Sequence, residues 1–69
     1  MVTPYDAFTR GAIMARNLAM HCLEEAKTAS VGRAFQLIAE HDRHMERAEW
    51  YEERAAWYAP KHEQKDIAA

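Results

Sequence analysis

Residues 27–33 read "KTASVGR", Lys27-Thr28-Ala29-Ser30-Val31-Gly32-Arg33. Away from the chain ends, this is where helix-stopping and helix-starting signals come together. Ser30 is a preferred capping residue, whose hydroxyl accepts a bond from a free N–H at a helix start. Gly32 falls in the first turn or in the connection. On either side, residues of a helical seam recur at alternating intervals of three and four. The first seam is Tyr5, Phe8, Ala12, Ala15, Ala19, Cys22, Ala26 and Ala29, flanked by Leu18 and Leu23. The second is Val31, Ala34, Ile38, His41, Met45, Ala48, Glu52 and Ala55. A connection this short forces the helices antiparallel. The predicted fold is all-α, a two-helix antiparallel hairpin over residues 1–59.

The outer boundaries follow from the only two prolines. Thr3 caps, Pro4 suits the first helical position and Asp6 sits near the positive end of the dipole, which starts helix 1 and carries it over about 4–29. Pro60 cannot continue a helix and disfavours helix at Ala59, so helix 2 spans about 31–58. Residues 60–69 have little to bury and are expected to form a flexible tail. No alternation of Val, Ile and Thr suggests a strand. Folding about Ser30 sets Cys22 near Ile38, Ala19 near His41, Ala15 near Met45 and Phe8 near Glu52, with Tyr5 in reach of Glu52. Small residues then face larger ones along much of the hairpin.

The chain has 69 residues and one cysteine, Cys22. A domain of this size is marginal unless disulfides, metal or self-association help, and no intrachain disulfide can form. Helix 1 is apolar over roughly half its circumference, wider than one neighbour needs. A homodimer forming a four-helix bundle is therefore expected, with Tyr5, Phe8, Leu18, Leu23, Ile38, His41 and Met45 as core or subunit-contact residues. A lone thiol fits a reducing compartment, most simply the cytoplasm. The start "MVTPYDAFTR", interrupted by Asp6 and Arg10, is not expected to be a signal peptide, and no segment approaches the ~18 apolar residues of a membrane span. The net charge of −2 argues against binding nucleic acid through bulk charge and is compatible with a basic protein partner.

The stretch "EHDRHMERAE", residues 40–49, places His41 and His44 three apart beside Glu40 and Asp42. A metal site needs a third ligand, which His21 or Cys22 would have to supply. The spacing matches neither the Glu-x-x-His pattern of di-iron bundles nor the His-Glu-x-x-His pattern of zinc proteases. His41 as a packed seam residue and His44 as an exposed one is the plainer reading, and no metal or cofactor is expected. His41 and Glu52 are the two polar residues in the seam. As a catalytic pair they lack a nucleophile, a Gly-rich anion loop and a chain long enough to wall off a deep pocket, so the chain is not expected to be an enzyme. Cys22 reads as a small core residue.

"EWYEERAAWY", residues 49–58, repeats a Trp-Tyr pair at an interval of seven. Trp50 and Trp57 fall farthest from the seam, with Tyr51 and Tyr58 on its flank. Rotating the seam to Ala48, Tyr51, Ala55 and Tyr58 would bury the tyrosines and still turn the tryptophans away from helix 1. Arg47 and Arg54 lie alongside, in position to stack on the rings. Trp, Tyr and Arg are enriched at binding hot spots. The tryptophans are covered by a second subunit, packed within the chain or kept for a foreign partner. The partner-binding candidates are Trp50, Tyr51, Arg54, Trp57 and Tyr58 with Glu46, Glu49 and Glu53.

In format the chain resembles the small anti-quorum-sensing (anti-activator) proteins of Pseudomonas phages. The resemblance covers the "TPYDAF" start, the break "TASVGR" and the acidic aromatic helix "EHDRHMERAEWYEERAAWY". It implies a helical dimer in the host cytoplasm. It also implies binding to the DNA-binding domain of a LuxR-type, LasR-like activator, and inhibition of the type IV pilus assembly ATPase. Glu40, Asp42, Glu46, Glu49, Glu52 and Glu53 suit a basic recognition helix, although Arg33, Arg43, Arg47 and Arg54 interleave with them. The alternative is a structural or assembly module that associates only with itself.

Overall fold

The computed structural model describes residues 2–60. Within them the chain is two helices, α1 over Pro4–Ala26 and α2 over Val31–Trp57, packed side by side as an antiparallel hairpin. Most of the expected tail lies outside the described residues.

Both helix starts follow the sequence signals. Thr3 forms a capping box: its Oγ1 accepts from the Asp6 N–H at 3.1 Å, and its own N–H reaches Asp6 Oδ2 at 3.5 Å. Pro4 follows, at a position where the missing N–H costs nothing. Ser30 caps α2 by accepting from the Arg33 N–H at 3.4 Å. Helix α1 stops at Ala26, three residues short of the expected Ala29. Its end tightens through successive three-residue bonds from Lys27, Thr28 and Ala29 to the carbonyls of Glu24, Glu25 and Ala26. Lys27 to Ser30 make the connection without a left-handed residue.

The seam of α1 is as predicted at its centre, where Ala12, Ala15 and Ala19 are buried. The seam of α2 is rotated. Leu37, not Ile38, is buried at 2% exposure, whereas Ile38 is 44% exposed. Ala34, Leu37, His41, His44, Ala48, Tyr51 and Ala55 face inward to differing degrees. Ala34, His41, Ala48 and Ala55 belong to both registers. Their partners lie three residues onward, so Val31, Ile38 and Glu52 turn outward and Met45 keeps half-burial on the flank. Tyr51 fits the observed register. A Cβ on Gly11 would lie 3.2 Å from its ring, so the glycine provides a recess in α1 that admits this aromatic.

Rotation also changes the partners of polar side chains. Glu52 is bound by Arg16, not Tyr5: Nε donates at 2.8 Å and Nη2 at 2.7 Å to its two oxygens. This bidentate clasp spans the hairpin. Arg33 reaches Glu25 across the other flank, at 3.4 Å. His44, expected to be exposed, is half-buried, and its Nδ1 has no hydrogen-bond partner.

Candidate protein-binding surface

The end of α2 assembles the aromatic residues, and α1 contributes one that the sequence reading placed only in the core. Phe8 stacks on Tyr58 with centroids 5.8 Å apart and planes 11° apart. It meets Trp50 edge-on at 5.9 Å and Tyr51 at 6.2 Å. Contrary to the expectation from either register, Trp50 therefore does not point wholly away from helix 1; the edge of its indole reaches Phe8. Trp57 makes no such contact and is 69% exposed. Arg54 lies between the two indoles, its guanidinium carbon 5.1 Å from the Trp50 ring and 4.3 Å from the Trp57 ring. Cation–π attraction fixes the spacing of the tryptophans and leaves Trp57 an outer face.

Charge on α2 is sorted by side. Asp42, Glu46, Glu49 and Glu53 recur at intervals of four, three and four and form one exposed stripe. Arg43, Arg47 and Arg54 form a second stripe, and Trp50 and Trp57 stand on the ridge between them. Among the described residues, the interleaved arginines form no ion pairs with these acids, and the acidic stripe makes one contact with a basic side chain, Asp42 Oδ1 with His41 Nδ1 at 3.0 Å. Glu52, on the inner side of the stripe, is spent on Arg16. Hydrogen bonding to Arg16 holds the Glu52 carboxyl below the usual carboxylate range, and the same bond raises Arg16.

The predicted residues thus divide into three groups. Trp50, Tyr51, Arg54, Trp57 and Tyr58 form one cluster together with Phe8. Glu46, Glu49 and Glu53 line the adjacent stripe. Tyr5, His41 and Met45 are half-buried, whereas Leu18 and Leu23 are 45% and 41% exposed and join Ile38 on the outside. Sequence reasoning missed the Arg16–Glu52 clasp and the role of Gly11. A glycine in mid-helix costs about 1 kcal/mol against alanine, and that cost was the available signal of a close approach.

Two shallow depressions flank the hairpin. The larger, about 360 Å³, is lined by Tyr5, Thr9, Ala12, Ile13, Glu52, Ala55, Ala56 and Ala59. It lies beside the clasp and offers one carboxylate already bound to Arg16. The smaller, about 130 Å³, lies on the other face between Met14, Leu18, Arg47 and Tyr51. Among the described residues, no three His, Cys, Asp or Glu side chains converge as metal ligands, and no helix is long and apolar enough to cross a membrane. No family model matches the chain, and no curated protein or solved structure shows significant similarity to it.

Proposed function

We propose that this chain is a non-enzymatic protein-binding module that acts by covering the basic, DNA-reading face of a transcription regulator. The regulator implied by the sequence resemblance is a LuxR-type quorum-sensing activator. The observation that carries the reading is the acidic stripe Asp42, Glu46, Glu49 and Glu53, which forms no ion pair with arginine among the described residues and runs beside exposed Trp57. A stripe of one sign steers an oppositely charged partner and fixes its orientation. An exposed indole braced by Arg54 supplies the apolar anchor. A helix-turn-helix reads DNA through a basic face, so a protein seated there excludes DNA by competition. The pilus assembly ATPase is the second partner the resemblance implies.

The test is titration of the chain into a complex of a purified LuxR-type DNA-binding domain with its operator, followed by mobility shift, with calorimetry on the two proteins alone. DNA should be released in proportion to chain added. Trp57→Ala should weaken binding at least tenfold, consistent with the ~2 kcal/mol typical of a truncated hot-spot aromatic, with helix content unchanged. Replacing Glu46, Glu49 and Glu53 by Gln should slow association and flatten its salt dependence. Arg33→Ala, at the far end of α2, should bind normally. Absence of binding to the regulator, or binding indifferent to both the Trp57 and the Glu variants, would refute the proposal.

A further inference from the structure

We infer that a second copy of this chain covers the apolar face at the turn end of the hairpin, with Phe35 as its central anchor. The Arg16–Glu52 clasp marks the side. Leu23 lies seven residues from Arg16, and Met45, Ile38 and Val31 follow Glu52 backwards at intervals of seven, so all stand on the clasp's face. Phe35 lies between Val31 and Ile38, one turn from each. Val31 is 74% exposed and Phe35 69%. With Leu23, Ile38 and Met20, they expose on the order of 600 Å² per chain. That is most of the ~800 Å² a standard interface takes from each partner, and it sits at the upper limit for the largest patch on a monomer.

Two features select a second copy as the occupant. The first is the thinness of the intrachain core. Its buried side chains are five alanines and Leu37. A core this small is the case in which small domains gain stability by self-association, and another copy is the one molecule always present in equal amount. The second is charge. Across a two-fold axis a patch meets itself, so any charge at its centre meets its like. Leu23, Val31, Phe35 and Ile38 carry none; Asp42, one turn past Ile38 and two past Phe35, bounds the patch, and the acidic stripe beyond it would repel its own copy. Phe35 precedes Trp57 by 22 residues, about 33 Å along the helix. The contact is centred away from the tryptophan ridge and is argued independently of the proposed function.

Sedimentation of the full chain at tens of micromolar should give twice its 8.0 kDa mass. Phe35→Asp should weaken association at least a hundredfold, while Met14→Asp, on the opposite face, should leave the mass unchanged. Loss of the dimer and loss of the fold could coincide in Phe35→Asp, so a second measurement keeps the fold intact. In a Cys22→Ala background, Phe35→Cys and Met14→Cys are each treated with a short bis-maleimide. Covalent dimer from Phe35→Cys alone is expected. A folded 8.0 kDa species, cross-linking through Met14→Cys alone, or equal cross-linking at both positions would overturn the inference.

Discussion

Gly11 offers the sharpest test of how the helices fit, because one substitution brings two effects of opposite sign into competition. Replacing a mid-helix glycine by alanine normally stabilises by about 1 kcal/mol, through reduced backbone freedom in the unfolded chain. Here the added Cβ would sit 3.2 Å from three carbons of the Tyr51 ring, a few tenths of an ångström too close. The ring cannot easily retreat. It is held edge-on by Trp50 at 5.4 Å and backed by Phe8 at 6.2 Å. Overpacking against a confined side chain typically costs about 1–3 kcal/mol. Gly11→Ala should therefore be neutral or destabilise by up to about 2 kcal/mol. In a domain of this size that corresponds to a fall in Tm of up to roughly 8–16 °C.

The decisive comparison is a double-mutant cycle. In a Tyr51→Leu background the obstructing ring is gone and the propensity gain stands alone. Gly11→Ala should then stabilise by about 1 kcal/mol, giving a coupling of about 1–3 kcal/mol between the two positions. Urea denaturation followed by far-ultraviolet circular dichroism at one fixed protein concentration measures all four species. The reasoning is refuted if Gly11→Ala gains the full alanine increment in the wild-type background, or if its effect is the same in both.

The remaining predictions concern the rotated seam. Leu37→Ala should cost about 2–5 kcal/mol, because Leu37 is the one large side chain buried in the seam; a loss under about 1 kcal/mol in denaturant would show that the seam does not run through it. The Arg16–Glu52 clasp should give an acid-dependent contribution. Glu52 has a depressed pKa in the folded chain, so the unfolded chain binds more protons between the two values and stability rises with pH there. The clasp's contribution is present in full above the ordinary carboxylate range and is lost as pH falls through the lowered value. The stability of Glu52→Gln relative to wild type, followed by denaturation across the acid range, should converge on zero; curves that stay parallel would remove the clasp as a contributor.

The hairpin itself was legible because its determinants are local. Thr3, Pro4, Asp6 and Ser30 act within one turn of where they stand, and "KTASVGR" needs no knowledge of what packs on it. The register of α2 was not legible, for a specific reason. Ala34, His41, Ala48 and Ala55 recur every seven residues, and a seam can be completed by residues either three or four positions onward. Hydrophobicity favours neither choice clearly: one side offers Val31, Ile38 and Met45 but also Glu52, the other Leu37, Tyr51 and Tyr58 but also His44. What separates them is the fit of Tyr51 against Gly11 and the reach of Arg16 to Glu52, both of which are tertiary. The site was half legible on the same grounds. Heptad phase placed Trp57 outside correctly, whereas the contact of Trp50 with Phe8 is made by the reach of the indole edge, which phase does not give in either register.

That rotation, about 50° of helix phase, has consequences at both ends of α2. It brings Leu37 and Tyr51 inward and turns Val31 and Ile38 out beside Phe35, which leaves the apolar face at the turn uncovered. It also turns Glu52 out to where Arg16 takes it up, so that this carboxylate is withdrawn from the acidic stripe while Asp42, Glu46, Glu49 and Glu53 remain unpaired with arginine. At the far end Trp50 meets Phe8 and Trp57 stands clear, with Arg54 between them. A seam through Ile38 and Glu52 would reverse the rotated features together: a branched apolar residue would enter the core, and the Glu52 carboxylate would turn inward towards Phe8 and Tyr5, away from Arg16, where burying it without a charge partner costs several kcal/mol. The cost of burying Glu52, together with the fit of Tyr51 against Gly11, is thus the physical reason the apolar surplus of α2 lies outside and its acidic stripe stands clear of the seam.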